Sequence, residues 1–222
     1  SFGRIDGLTV TDVTLRDIDG FGCQIADATG FRTERIRFDH TADGVHINGP
    51  ASDGVIRDLA GHTTDDPVSL TAWDWLVGSH SFGTIRRLLV EDITLEAGQT
   101  WAEIRLLPGA RRRADGELES CDIDECVFRR IRGIHTFKMY EQPSWYDVRD
   151  RSEGPGRLGR IFFRDIGFAP IDRADYYDRS SDALFDICVN AELLSIDGLH
   201  FPEPPGTHGS VPFLASIGPK SM

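Results

Sequence analysis

The sequence predicts an all-β fold, a right-handed parallel β-helix of about seven coils of about 22 residues each. Three observations predict it. Glycine, 23 of 222 residues, punctuates the chain throughout, and no long stretch carries an apolar period of 3.6. Short apolar-x-apolar segments recur at a near-constant spacing. A second series of such segments runs alongside the first, and two parallel series at a period of 20–50 residues mark a solenoid.

The first series reads Cys23-Gln24-Ile25, Val45-His46-Ile47, Val68-Ser69-Leu70, Ile104-Arg105-Leu106, Phe137-Lys138-Met139 and Phe185-Asp186-Ile187. Its first two steps are 22 and 23 residues, and the later ones are a coil plus insertions. The second series reads Leu8-Thr9-Val10, Ile36-Arg37-Phe38, Val55-Ile56-Arg57, Leu89-Val90-Glu91, Val127-Phe128-Arg129 and Ile161-Phe162-Phe163. Successive side chains of a strand point to opposite faces. The outer residues of each first-series triplet therefore face inward. Gln24, His46, Ser69, Arg105, Lys138 and Asp186 form an outward column on coils about 4.8 Å apart. The alternative is a sandwich of unrelated short strands. Insertions are expected near 71–82, 107–120, 143–157 and 170–182, rich in Trp, Tyr, Asp, Arg, Gly and Pro. The β-helix is expected over 1–201, with 202–222 as a loop-like tail packing on its end. The first coil begins almost at Ser1 with nothing to cover its open edge, so a partner or a preceding segment is expected there.

Composition narrows the partners. A net charge of -12 argues against nucleic acid, whose phosphates need clustered Lys and Arg. The one basic run, Arg111-Arg112-Arg113, is followed by Asp115 and Glu117 and reads as a solvated loop. No apolar run approaches the roughly 18 residues of a membrane span, so no membrane partner is expected. No signal peptide is visible, and the chain reads as a mature or excised piece. Cys23, Cys121, Cys126 and Cys188 lack zinc spacing and are expected to be free, mostly buried thiols, with a Cys121–Cys126 bridge as the alternative.

The candidate chemistry lies in two turns. Asp43 precedes the strand Val45–Ile47, and Asp65 with Asp66 precedes the next strand one coil later. Carboxylates this close repel, which raises at least one proton affinity and separates acid from base. Glycosidic cleavage uses such an arrangement, with inverting acid and base carboxyls about 6.5–9.5 Å apart. Asp is also common in turns for its own local hydrogen bonds, and Asp53, Asp122 and Asp197 read that way.

At these residues the sequence resembles family 28 glycoside hydrolases, the polygalacturonase group. The stretch His40-Thr41-Ala42-Asp43-Gly44-Val45-His46-Ile47 is similar to the family's Asn-Thr-Asp-Gly motif, with Thr41 and Ala42 in place of Asn and Thr. Thr64-Asp65-Asp66-Pro67-Val68 is similar to its following Asp-Asp motif. The resemblance covers roughly residues 31–108. It implies the β-helix fold and an inverting, secreted hydrolase of polysaccharide, extracellular or periplasmic, with no cofactor or metal. Asp65 would be the general acid, with Asp43 and Asp66 positioning and activating water. The family's Gly-His-Gly motif has its nearest counterpart around His80, and its Arg-Ile-Lys becomes Arg105-Leu106-Leu107, with the Arg kept and the Lys lost. Pectin itself is therefore not implied.

Candidate substrate contacts are His46, outward after Asp43; Arg105; Lys138, one coil on from Arg105; His80; and Trp73 and Trp75, whose rings could stack on a sugar. Trp101 reads as packing, and Trp145, Tyr146, Tyr176 and Tyr177 as walls of a cleft. Arg105 and Lys138 need an anion between them, either a substrate carboxylate or a protein one such as Glu103 or Glu141. Two other functions suit the fold: a Ca²⁺-dependent polysaccharide lyase, and a non-catalytic glycan-binding β-helix of the tail-fibre or adhesin type.

Overall fold

The computed structural model describes residues 1–73, 78–96, 102–140, 152–154, 156–169, 183–201 and 213–217. Their regular structure is all β-strand, and no helix occurs among the described residues, so none there is long and apolar enough to cross a membrane. Strands β1 (Phe2–Ile18), β2 (Cys23–Thr41) and β3 (Val45–Thr63) pair in parallel in that order. Flat parallel strands need a crossover of a dozen or more residues. Here Ala42, Asp43 and Gly44 alone link β2 to β3. The return must therefore be made within the strands, which would each span about 60 Å if straight.

Positive-φ residues supply the bends. Asp12 (φ 59), Arg35 (φ 55), Asp58 (φ 54), Asp92 (φ 55), Arg130 (φ 53) and Asp165 (φ 56) occupy one register position on successive parallel neighbours. Asp tolerates this left-handed conformation because its short side chain bonds locally. The arginines are braced from the preceding rung: Arg35 donates to Asp12 at 2.7 and 2.9 Å, and Arg130 to Asp92 at 2.6 and 2.8 Å. Arg87 braces on Asp53 in the same way, at 2.6 and 2.7 Å, in a second such column.

Beyond β3 each rung splits in two. β4 (Val68–Thr71) and β5 (Ile85–Leu95) both pair with β3. β6 (Glu103–Leu107) pairs with β4, and the antiparallel hairpin β7 (Gly109–Arg112) and β8 (Leu118–Cys121) leaves the rung after it. β9 (Ile123–Asp124) and β10 (Cys126–Ile134) pair with β5. β11 (Thr136–Met139) pairs with β6, and β12 (Arg157–Phe168) with β10. β13 (Ala183–Ile187) and β14 (Asn190–His200) continue the two series, and β15 (Phe213–Ile217) pairs with β13. The expected all-loop tail after 201 is thus corrected, because 213–217 adds a strand to the ladder. The described part of the 107–120 insertion includes the β7–β8 hairpin. There Arg111, Arg112 and Arg113 pair with Glu119, Glu153 and Asp115, as a solvated face would.

The first series pairs as its spacing predicts. Cys23↔Val45↔Val68↔Ile104↔Phe137↔Phe185 and Ile25↔Ile47↔Leu70↔Leu106↔Met139↔Ile187 run unbroken, and all of these side chains are buried. The second series holds register only over Val55↔Leu89↔Val127. Leu8 pairs with Phe31, Ile36 with Leu59, and Ile161 with Cys126. Ile36 belongs instead to a third column, Val13↔Ile36↔Leu59↔Ile93↔Ile131↔Ile166, past the bend. Phe128, Phe137, Phe163, Phe168 and Phe185 fill the interior beside it, with Phe137 and Phe163 centroids 4.6 Å apart. No disulfide joins the cysteines, which excludes the Cys121–Cys126 bridge; burial pushes Cys23 and Cys121 up to about 11 and Cys126 to about 12.

Candidate functional site

The two Asp turns are held by backbone bonds between rungs. Gly44 N donates to Asp66 O at 2.8 Å, Val45 N to Pro67 O at 3.0 Å, and Asp65 N to Ala42 O at 3.0 Å. Asp66, rather than Asp65, therefore stacks on Asp43. Gly44 is obligatory in this contact, since a Cβ there would lie 2.4 Å from Pro67 O and 3.0 Å from the Phe38 ring. Thr63 caps the second turn with its hydroxyl on Asp65 O at 2.8 Å.

The folding of these turns brings one carboxylate oxygen from each of Asp43, Asp65 and Asp66 within 4.8 Å of the others. This is tighter than the expected inverting separation of about 6.5–9.5 Å. It suits one water: an oxygen donating two hydrogen bonds of about 2.8 Å spans roughly 4.6 Å between acceptors. Asp43 and Asp66 are buried, while the Asp65 side chain is 47% exposed. Burial raises the proton affinity of Asp65; Arg105 opposes this, and Asp43 and Glu103 add to it. Burial pushes Asp66 well above the ordinary carboxylate range, again against Arg105 and with Asp43, Asp65 and Glu103 adding. Asp66 Oδ1 is buried and accepts no hydrogen bond from the described residues, an arrangement a proton on this carboxyl relieves.

Arg105 lies over the pair. Its Nε is 3.0 Å from Asp66 Oδ2 and 3.5 Å from Glu103 Oε2, and its Nη2 is 3.8 Å from Asp65 Oδ1. Glu103 is wholly buried and also meets Lys138 Nζ at 3.0 Å. The three Asp oxygens are the described residues' candidate cation ligands, but Ca²⁺ takes 6–8 oxygens and the guanidinium already supplies positive charge.

The outward column aligns as expected, Gln24↔His46↔Ser69↔Arg105↔Lys138↔Asp186, yet it is not a solvated face. All but Arg105 are buried. Part of the cover is visible: Gln24 donates to Gly78 O at 2.8 Å, and the Phe21 ring stacks on His46 at 4.0 Å. This corrects the reading of His46 as a sugar contact. Its Nδ1 lies 2.6 Å from Asp43 Oδ2 and its Nε2 3.2 Å from Thr71 Oγ1, so both nitrogens are engaged and the ring orients Asp43. Lys138 is corrected likewise. Its side chain is only 3% exposed and ion-paired to Glu103, the protein partner named above as one option. Trp73 is also corrected: 7% exposed, it packs on Phe82 at 5.4 Å and against Gly109, and offers no open ring face.

His80 is exposed and meets Ser1 Oγ at 3.2 Å and Asn48 through its backbone, contacts that do not join it to the carboxylates. Trp75, Trp101, Glu141, Trp145, Tyr146, Tyr176 and Tyr177 lie outside the described residues. Phe21 and Thr71 were missed at the sequence level. Thr71 sits two residues beyond Ser69 on β4, opposite Asn48, a register that could have been read from the spacing.

No protein-family model matches this chain, and no curated protein or solved structure matches it.

Proposed function

We propose that the chain is wound as a right-handed parallel β-helix and is a glycoside hydrolase that cleaves a polysaccharide by an inverting acid–base mechanism, in which the water is held on the tight carboxyl trio itself rather than across the roughly 6.5–9.5 Å gap usual for inversion. Parallel pairing at a near-constant step, links of three or four residues and repeated left-handed bends support the winding. The right hand follows from the strong preference of parallel crossovers. The enzymatic reading is carried by Asp65, the one open carboxyl of a trio whose other two members are buried. An open carboxyl with raised proton affinity is suited to serve as a general acid.

In this reading Asp65 gives its proton to the glycosidic oxygen as the C–O bond breaks. Water held by Asp43 and Asp66 forms the new bond to the anomeric carbon, and its proton passes to the ionised carboxylate of the trio. His46 keeps Asp43 aimed, and Arg105 stabilises negative charge on the pair. The activity falls on the alkaline side as Asp65 loses its proton.

The test is release of reducing ends from a polysaccharide panel, with and without EDTA. Asp65→Asn should lower the rate by about 10²–10⁴-fold at unchanged melting temperature. Full activity in that variant overturns the assignment, and loss of activity in EDTA turns the site towards cation chemistry. Proton NMR of the first-formed product should show the inverted anomer; retention overturns the stereochemistry.

A further inference from the structure

Resting on the hydrolase reading, we infer that this site takes an uncharged glycan and excludes polyuronides. Four carboxyl groups, Asp43, Asp65, Asp66 and Glu103, meet two cations, Arg105 and Lys138. With protons on Asp65 and Asp66 the two carboxylates that remain only balance the two cations, so no positive charge is left over for a uronate. A uronate carboxylate has acceptors only, and the carboxyl oxygens that line the site are themselves acceptors, Asp65 offering its second oxygen even while it carries its proton. Neutral sugar hydroxyls are donors and fit those acceptors.

Among the described residues, the two cations beside the carboxyl trio are committed inside the protein. Arg105 is shared by Asp66 and Glu103 at 3.0 and 3.5 Å, with its side chain 21% exposed. Lys138 is shut away on Glu103. Diverting Arg105 to a substrate carboxylate would take charge compensation from buried Asp66 and Glu103, the costly step in any buried ion network. Leu107, two residues beyond Arg105 on the same strand, is buried and apolar. The sequence between strands does not redress the balance. Residues 141–151 carry Glu141, Asp147 and Asp150 against Arg149 and Arg151, and 170–182 carry four Asp against two Arg.

The experiment uses a matched pair, a polyuronide and the same polymer with its carboxyls reduced to alcohols, beside neutral glucans, galactans and xylans. Binding is read by affinity electrophoresis of the whole chain and of Asp65→Asn, and hydrolysis by reducing ends. Runs at about 0.5 M salt, where the Debye length is only about 4 Å, remove repulsion by the overall charge. The carboxyl-reduced polymer or another neutral glycan should bind at least about tenfold tighter than any polyuronide, a preference that survives the salt. Tighter binding or faster cleavage of the polyuronide overturns the inference, as does failure of both proteins to bind any neutral glycan. Neutral-glycan binding without new reducing ends upholds the substrate class and overturns the hydrolase reading instead.

Discussion

His46 stands three residues after Asp43 on a strand that presents alternate faces, so spacing alone made it an outward ligand. Alternation gives direction, but not what lies above. Phe21 covers the ring, Thr71 takes Nε2, and Asp43 is left as the group His46 serves. Replacing His46 by Leu should lower kcat by about 10–100-fold with little change in KM, since a misaimed Asp43 weakens the step rather than binding. His46→Gln, which keeps a donor, should recover part of the rate; equal losses in both variants would mean that the ring acts only by packing. Asp66 carries the opposite sign in stability. Its folded-state proton affinity is raised, so its protonated form favours folding at low pH and that contribution fades as pH rises through the raised value. Asp66→Asn should therefore keep or raise the neutral-pH melting temperature while abolishing activity. The trio was legible from two Asp turns one period apart. Which carboxyl lay open was not, because exposure depends on how Asp66, not Asp65, stacks on Asp43.

At the scale of the strands, the ladder through Cys23 and Val45 was readable because its inner residues are apolar at every rung. The second ladder slipped because the chain bends at Arg35 and Asp58, and a left-handed residue breaks the period-2 count on which the alignment relied. Across that bend Glu34 receives hydrogen bonds from Arg35, Arg57 and Arg32, which hold its carboxyl down to about 2. Its stabilising contribution is complete above the ordinary value of 4.5 and is lost as pH falls from there towards 2. Burial draws His135 down to about 4, so its contribution is complete above 6.5 and lost between 6.5 and 4. Melting temperature should thus decline in two stages on acidification, the first absent in His135→Leu and the second reduced in Glu34→Gln. The β6–β11 rung holds a larger effect. Lys138→Met leaves Glu103 wholly buried without its lysine and should cost about 3–5 kcal/mol in denaturant unfolding. Adding Glu103→Gln should return most of it; a Lys138→Met protein of unchanged stability would show that the pair carries little.

Across the whole molecule, parallel pairing among the described strands runs only between successive rungs, so stability is expected to be a chain of nearest-neighbour terms. The third column makes this measurable. Val13, Ile36, Leu59, Ile93 and Ile131 occupy one register position, but Val13 and its β1 neighbour Leu15 are only half-buried because β1 has one partner among the described residues. Leu59 is nearly fully buried between rungs on both sides. Leu59→Ala should cost about 2–5 kcal/mol and lower hydrogen-exchange protection in β2, β3 and β5 together, because each loses a packing partner. Leu15→Ala, on the first described rung, should lower protection in β1 and β2 alone and leave β5 untouched. Equal loss of protection throughout the chain in both variants would mean that the rungs melt as one unit, and that the nearest-neighbour account of this fold is wrong.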